Sequence, residues 1–244
     1  MRLTRSWIET PLAVGQTLSL PEEVANHLVR VMRLREGDTC VLFNGDGHDY
    51  SATVVETSKR DARVRVDGST AVDNESPLRI TLLQGIARGE KMDLILQKAT
   101  ELGVTAIVPV NAERTEVKLD AARAEKRLAH WRSVVVSACG QSGRARVPAV
   151  AAPQSLQAAA QNAAADTLKL TLDPLGDHRL ATLTRAPAGG VVIAIGPEGG
   201  WSPRDRLALA TAGFQGLQLG PRILRTETAG LAAIAALQAR LGDL

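Results

Sequence analysis

The chain has 244 residues, more than one typical core fills at roughly 100 to 200 residues per domain, so one large domain or two unequal ones are expected. With 45% hydrophobic and 23% charged residues it is neither a disordered tail nor a fibre, and a net charge of +3 does not by itself mark a nucleic-acid binder. Its six aromatic residues (Trp7, Phe43, Tyr50, Trp131, Trp201 and Phe214) exclude a sheet that binds RNA by stacking bases on rows of rings.

Alternating, Val- and Thr-rich segments predict strands over Thr39 to Phe43, Tyr50 to Glu56 and Ala62 to Val66. Asn44-Gly45-Asp46-Gly47 predicts a hairpin turn between the first two, because Gly and Asn tolerate positive φ. One helix starts at Pro21, with Val24, Leu28, Val31 and Met32 as its inward stripe. A small β-barrel with one helix follows. Gly68 to Pro77 is polar and rich in breakers and reads as a linker, so domains over residues 1–73 and 74–244 are expected.

Beyond the linker, strands and helices alternate. Strands are predicted at Leu78 to Leu83, Ala106 to Val110, Leu168 to Leu172, Val191 to Ile195 and Leu217 to Leu219. Helices are predicted at Lys91 to Leu102, Ala121 to Ala138, Ser155 to Ala163, Pro203 to Ala212 and Thr226 to Leu241. That order is an α/β domain built on a parallel sheet, whose ligands bind at the carboxyl ends of strands. Cys40 and Cys139 lie far apart, and His27, His48, His130 and His178 join no metal-type cluster, so a reduced, metal-free, cytoplasmic protein is expected. Met1 to Leu12 lacks a signal-peptide core, and no stretch approaches about 18 uncharged apolar residues.

Two strand-end loops attract attention. Gly196-Pro197-Glu198-Gly199-Gly200-Trp201-Ser202 lets backbone approach a ligand, with Ser202 as the N-cap of the next helix. Leu219-Gly220-Pro221-Arg222-Ile223-Leu224-Arg225-Thr226-Glu227-Thr228-Ala229 enters the last helix, where Thr226 could cap and Glu227 suits the helix dipole. Arg222 and Arg225 have no such structural reason, and cations flanking Ile223-Leu224 suit an anionic partner beside a flat apolar ligand. Neither G-x-G-x-x-G nor G-x-x-x-x-G-K-[ST] occurs, which disfavours a dinucleotide dehydrogenase or P-loop enzyme. Ile86 to Gly103 leads into an amphipathic helix with Leu94, Ile95 and Leu102 as apolar positions, Lys98 and Glu101 as a solvated face, and Gly103 at its end. From Arg114 to Arg146 eight basic residues (Arg114, Lys118, Arg123, Lys126, Arg127, Arg132, Arg144 and Arg146) face three acids, a net of +5. This is either a solvated helix face, given the inward stripe Leu128, Trp131, Val135 and Ala138, or a path for phosphates.

With ANHLVRVMRLREGD (Ala25 to Asp38), GEKMDLILQKATELGV (Gly89 to Val104), ACGQSGR (Ala138 to Arg144), IGPEGGWS (Ile195 to Ser202) and LGPRILRTETA (Leu219 to Ala229), the chain resembles, end to end, the RsmE family of SPOUT methyltransferases, which methylate N3 of a uridine in bacterial 16S ribosomal RNA. The resemblance implies a PUA-like RNA-binding barrel, a C-terminal SPOUT domain with a deep trefoil knot, a homodimer, and S-adenosyl-L-methionine as cofactor. The cofactor site it implies comprises Leu172, Gly196, Pro197, Glu198, Gly199, Leu219, Gly220, Ile223, Leu224, Thr228 and Ala229.

Uracil N3 carries a proton that the site must help remove, or it must stabilise the resulting anion. Arg225, and less favourably Arg88, is expected to stabilise that anion, with Glu227 orienting an arginine or assisting proton removal. RNA contacts are expected from Arg2, Arg5, His27, Arg30, Arg33, Arg114 and Arg144. His27 could equally pack the barrel helix, whereas Arg30 and Arg33 would share a helix face. The competing reading, an RNA-binding ribosome-assembly factor without catalysis, would not require both glycine-containing loops to be intact.

Overall fold

The computed structural model describes residues 4–58, 61–117, 120–174, 176, 178–185 and 187–244. Two units result: Met1–Glu75 with Val136–Val147, and Ser76–Val135 with Pro148–Leu244.

In the first unit β1 (Arg5–Trp7), β2 (Thr17–Ser19), β3 (Thr39–Phe43), β4 (His48–Thr57) and β5 (Ala62–Ala71) form a five-stranded sheet in the order β1-β3-β4-β5-β2. It is antiparallel except where β1 runs parallel to β3. Alternation sends Leu42, Tyr50, Ala52, Val54, Val64 and Val66 into one core, closed by Ala25 and Leu28. The turn after β3 uses Gly45 and Gly47 at φ of +91° and +98°, as its sequence predicts. Strand β5 continues through Gly68–Ala71, so the first part of the expected linker is paired with β4.

Helix α1 (Glu22–Asn26) continues as a π-helical turn over His27–Val31, closed by the Met32 N–H donating to the His27 carbonyl. The wider turn rotates the following side chains off the inward stripe. Val31 and Met32 are accordingly 66% and 44% exposed, contrary to expectation; Leu28 is buried as expected, Val24 packs partly buried against the core, and Ala25 is buried beside them. Arg33 lies beyond the helix in the left-handed region at φ +58°, so it does not share a helix face with Arg30.

The last part of α3 and the loop after it belong to this unit rather than to a contiguous second domain. Their polar groups explain why. Arg144, 4% exposed, makes a bidentate pair with Glu75 at 3.0 and 2.5 Å. Arg5 reaches the carbonyls of Cys139 and Arg144 while also pairing with Asp49, and the Gly47 N–H donates to the Ala145 carbonyl.

The second unit orders β6 (Ile80–Gly85), α2 (Glu90–Glu101), β7 (Ala106–Asn111), α3 (Ala121–Ser142, up to Val135), β8 (Ala149–Val150), β9 (Gln154–Ser155), α4 (Leu156–Gln161), β10 (Leu168–Leu172), β11 (His178–Arg179), β12 (Val191–Ile195), α5 (Pro203–Thr211), β13 (Gln215–Gln218) and α6 (Thr226–Leu241). Its sheet is wholly parallel, in the order β11-β13-β10-β12-β6-β7-β8, with β9 also on β7. Every residue of β12 is buried, as an unbroken Val-Val-Ile-Ala-Ile run in a central parallel strand should be. Helix α2 buries Met92, Ile95 and Leu96 but leaves Leu94 42% exposed, so Leu94 is not a core residue. Gly103 ends it at φ +84°. No helix among the described residues is long and apolar enough to cross a membrane.

Candidate active site at the carboxyl ends of three strands

Leaving β12, the chain turns sharply through Gly196–Gly200, and Ser202 caps α5 in a reciprocal capping box with Asp205, Pro203 taking the first helical position. The same Asp205 carboxylate accepts from the Glu113 N–H. Trp201 is buried and donates its indole N–H to the Thr171 hydroxyl at 2.9 Å. A side chain on Gly85, the last residue of β6, would collide with the backbone of Gly196 and Pro197, so glycine is what admits the loop there. Glu198 turns back over α2. Its carboxylate accepts from the Arg88 N–H at 3.1 Å and lies 3.5 Å from Lys91 Nζ. Burial raises its pKa, but the Arg88 and Glu198 N–H groups and the Lys91 ammonium outweigh that and hold the carboxyl below its ordinary value.

The second loop leaves β13 and passes Gly220 at φ +91°. No hydrogen bond between described residues engages the backbone of Gly220–Leu224, which leaves those groups for solvent or a ligand. Ile223 is 88% exposed, and Arg222 and Arg225 are exposed without an ion-pair partner among the described residues. Thr226 does not cap α6, contrary to expectation. Arg225 occupies the cap position, and the buried Thr226 hydroxyl donates to the Gly196 carbonyl at 2.6 Å while accepting from Gln84 at 3.0 Å. Glu227 Oε2 is buried with no hydrogen-bond partner, its nearest cation being Lys91 Nζ at 3.9 Å.

Between these loops and the end of β10 opens a cavity of about 460 Å³. Of the residues expected to hold a cofactor, Leu172, Gly196, Pro197, Glu198, Leu219, Gly220, Ile223, Leu224 and Ala229 line it. Gly199 and Thr228 do not: Gly199 packs against Arg114, whose guanidinium donates to its carbonyl at 3.1 Å. Arg225 and Glu227 are part of the lining, whereas Arg88 is not, its guanidinium being paired with Glu116. Sequence reasoning missed Lys91, Asp173, Trp201 and Arg206, of which Arg206 pairs with Asp173 at 3.1 Å. The only sequence signal for Lys91 is its place in the first turn of a helix, where a cation is unfavourable against the dipole and so calls for another reason. Among the described residues no group of three or more His, Cys, Asp or Glu could hold a metal ion.

The residues expected to meet RNA divide differently. Arg2 and, within the basic segment, Lys118 lie outside the described residues. Arg5 and Arg144 are turned inward in ion pairs, their side chains 7% and 5% exposed, so neither is presented to a partner. His27, Arg30 and Arg33 are exposed, and His27 is therefore not a packing residue of the barrel. Arg114 is exposed but engaged with Gly199.

A sequence model described as an RNA methyltransferase domain matches residues 74–238, and one described as an RNA methyltransferase PUA domain matches residues 20–67. Ribosomal RNA small subunit methyltransferase E of Buchnera aphidicola is 31% identical over 243 residues, covering 100% of this chain and 98% of its own; that of Bacillus subtilis is 32% identical, covering 97% and 94%. The crystal structure of the Neisseria gonorrhoeae enzyme of that name, bound to S-adenosyl methionine, matches with a TM-score of 0.94 at 44% identity over 99% of both chains. A putative methyltransferase of Legionella pneumophila, in complex with the same cofactor, matches with a TM-score of 0.95 at 37% identity over 100% of both. With a wholly parallel sheet, two glycine-containing loops meeting over one cavity and relatives matched from end to end, the chain belongs to the ribosomal RNA small subunit methyltransferase E family.

Proposed function

We propose that this chain transfers a methyl group from S-adenosyl-L-methionine to N3 of one uridine in the 16S ribosomal RNA of the small ribosomal subunit. The observation that carries the reading is the convergence of the Gly196 and Gly220 loops on one cavity. Its volume falls within the range of small-molecule sites. Leu172, Ile195 and Leu217 supply apolar surface for a flat ring, the unengaged backbone of Gly220–Leu224 supplies donors and acceptors, and the Glu198 and Glu227 carboxylates suit a cationic ligand. When bound, the cofactor supplies a methyl group on a positively charged sulfur.

The chain's own work is on the uracil. N3 must lose its proton, and the charge left behind spreads over the two ring carbonyl oxygens. Arg225 is assigned to that charge, because it lines the cavity and its guanidinium is committed to no carboxylate among the described residues. Glu227 is assigned to orient Arg225 or to receive the proton, having a buried carboxylate oxygen without a hydrogen-bond donor. Arg88 contributes through its backbone N–H, which fixes Glu198. The close approach of β6, the Gly196 loop and the start of α6 supports a threaded, knotted C-terminal segment, and a homodimer is what the family resemblance implies.

Incubation with tritiated cofactor and small ribosomal subunits lacking the modification tests the reading. Label on N3 of a single uridine is expected; label on another atom, or none on RNA, overturns it.

A further inference from the structure

Strand β6 reads Ile-Thr-Leu-Leu-Gln-Gly, and its glutamine is the anomaly: Gln84 is 0% exposed in an otherwise apolar neighbourhood. A buried amide is unfavourable unless its hydrogen-bonding groups are engaged. Gln84 Nε2 donates twice, to the Gly85 carbonyl at 2.9 Å and to the Thr226 hydroxyl at 3.0 Å, whereas its Oε1 is buried without a hydrogen-bond partner among the described residues. Thr226 has a single hydroxyl proton, and it goes to the Gly196 carbonyl at 2.6 Å. The direction of the chain is therefore set: Gln84 amide to Thr226 hydroxyl to Gly196 carbonyl.

The end points give this chain its meaning. Gly196 is the first residue after β12 and opens one cavity loop; Thr226 is the first residue of α6 and closes the other. Both line the cavity, and Gln84 lies behind them, beyond its lining. Backbone contact tightens the same junction, since a Cβ on Gly85 would strike Gly196 and Pro197. Neither a helix cap nor a sheet hydrogen bond requires this glutamine. The cap position of α6 is held by Arg225 without a side-chain cap bond, and the backbone bonds of β6 do not involve a side chain.

We propose that Gln84 and Thr226 are positioning residues that staple the two cavity loops together, so that the backbone groups of Gly196–Gly200 and Gly220–Leu224 stand ready for the cofactor before it arrives. The proposal rests on the cofactor reading above and adds the device that preorganises the site. It separates two jobs that the TETA segment would otherwise blur: Thr226 holds the loops, while Arg225 and Glu227 on either side face the substrate.

Three variants test it: Thr226→Val, which keeps the shape and loses the hydroxyl; Thr226→Ser, which keeps the hydroxyl; and Gln84→Met, which keeps the length and loses the amide. Calorimetric titration with S-adenosylhomocysteine, a product form that needs no turnover, should show Thr226→Val weakened about tenfold, the equivalent of one hydrogen bond, with Gln84→Met weakened in the same direction and Thr226→Ser close to the unaltered protein. Hydrogen exchange on the ligand-free protein should be faster in Thr226→Val at the Gly200 amide, which donates to the Pro197 carbonyl, and at the Thr228 and Ala229 amides, which donate to the Arg225 carbonyl, and unchanged in the first unit. Steady-state kinetics should put the loss in KM for the cofactor, leaving kcat within about twofold.

A purely structural threonine would lower the melting temperature of Thr226→Val while its ligand affinity and loop exchange, measured well below that temperature, matched the unaltered protein. That result, or a Thr226→Ser variant as weak as Thr226→Val, overturns the proposal. Failure of the unaltered protein to bind S-adenosylhomocysteine or S-adenosylmethionine overturns the cofactor reading instead.

Discussion

A single exposed cation on the wall of a cavity is the residue from which the chemistry can be checked. Arg225 sits at the cap position of α6, where positive charge gains nothing from the helix dipole, and no carboxylate among the described residues neutralises it. If it stabilises the uracil anion, Arg225→Ala should lower kcat about a hundredfold, the loss typical of one donor aimed at developing negative charge, while cofactor affinity stays unchanged. Near-normal turnover with unchanged cofactor binding would remove Arg225 from the chemistry. As part of the cavity wall, Arg225 was legible because capping logic could not account for an arginine there. Lys91 was not, because a lysine in a charged first turn looks like any solvated face until Glu198 and Glu227 are seen 3.5 and 3.9 Å away. Thr226 misled for the opposite reason: a local capping role sufficed to explain it, and its partners Gln84 and Gly196 lie 142 and 30 residues away along the chain.

At the scale of elements, periodicity located β3, β10, β12 and α6 with the same bounds the structure shows, because each is an uninterrupted pattern ended by Gly, Pro or a charged loop. It failed where the period itself changes. The π turn at His27–Val31 adds a residue to one turn and sends Val31 and Met32 outward, and the two-residue strands β8, β9 and β11 are too short to have a period. The loop from Gly143 to Arg146 shows how charge can mislead in the same way. Arg144 resembles a phosphate ligand, yet it is the anchor of its loop, bonded in two places to Glu75. Truncating one partner of a buried pair strands the other, so Arg144→Ala should lower unfolding stability by about 3 kcal/mol, measured by denaturant titration. Loss of ribosomal subunit binding with unchanged stability would instead return Arg144 to the RNA interface. The buried thiols act on the same unit. Burial pushes Cys40, further raised by Asp67, and Cys139, where Glu75 adds to the rise and Arg144 and Arg5 oppose it, from 9.0 to about 11. A raised folded-state pKa favours the neutral thiol, so the stability linked to it is complete below pH 9 and is lost as pH rises towards 11. Melting temperature should therefore fall over that window, and replacing both thiols by Ala should flatten the fall, whatever its separate effect on packing.

For the whole molecule, the modest net charge of +3 is an average over unlike parts. Residues 1–73 hold nine basic and eleven acidic side chains; adding Glu75, Arg144 and Arg146, as the structural division requires, brings the first unit to a net of -1 and leaves +4 on the second. The barrel that matches a PUA domain is thus the less basic unit, and two of its arginines, Arg5 and Arg144, are spent inside it. Cations free to meet phosphates concentrate instead at the start of α3. Arg123, Lys126 and Arg127 are exposed at helical spacings of three and four, so they share one face, and of the three only Arg123 has an ion-pair partner among the described residues, Asp120 at 3.4 Å. Each phosphate contact releases condensed counterions, which makes the salt dependence of binding a count of contacts. Converting the three to Gln should weaken binding to small ribosomal subunits most at low salt and make the slope of log K against log salt shallower by about two units, roughly 0.7 to 0.9 per lost contact. Affinity for S-adenosylhomocysteine should be untouched, since none of the three lines the cavity. An unchanged slope would assign this face to solvent and leave RNA recognition to the exposed His27, Arg30 and Arg33 of the barrel, where the same measurement on Arg33→Gln would then show the loss.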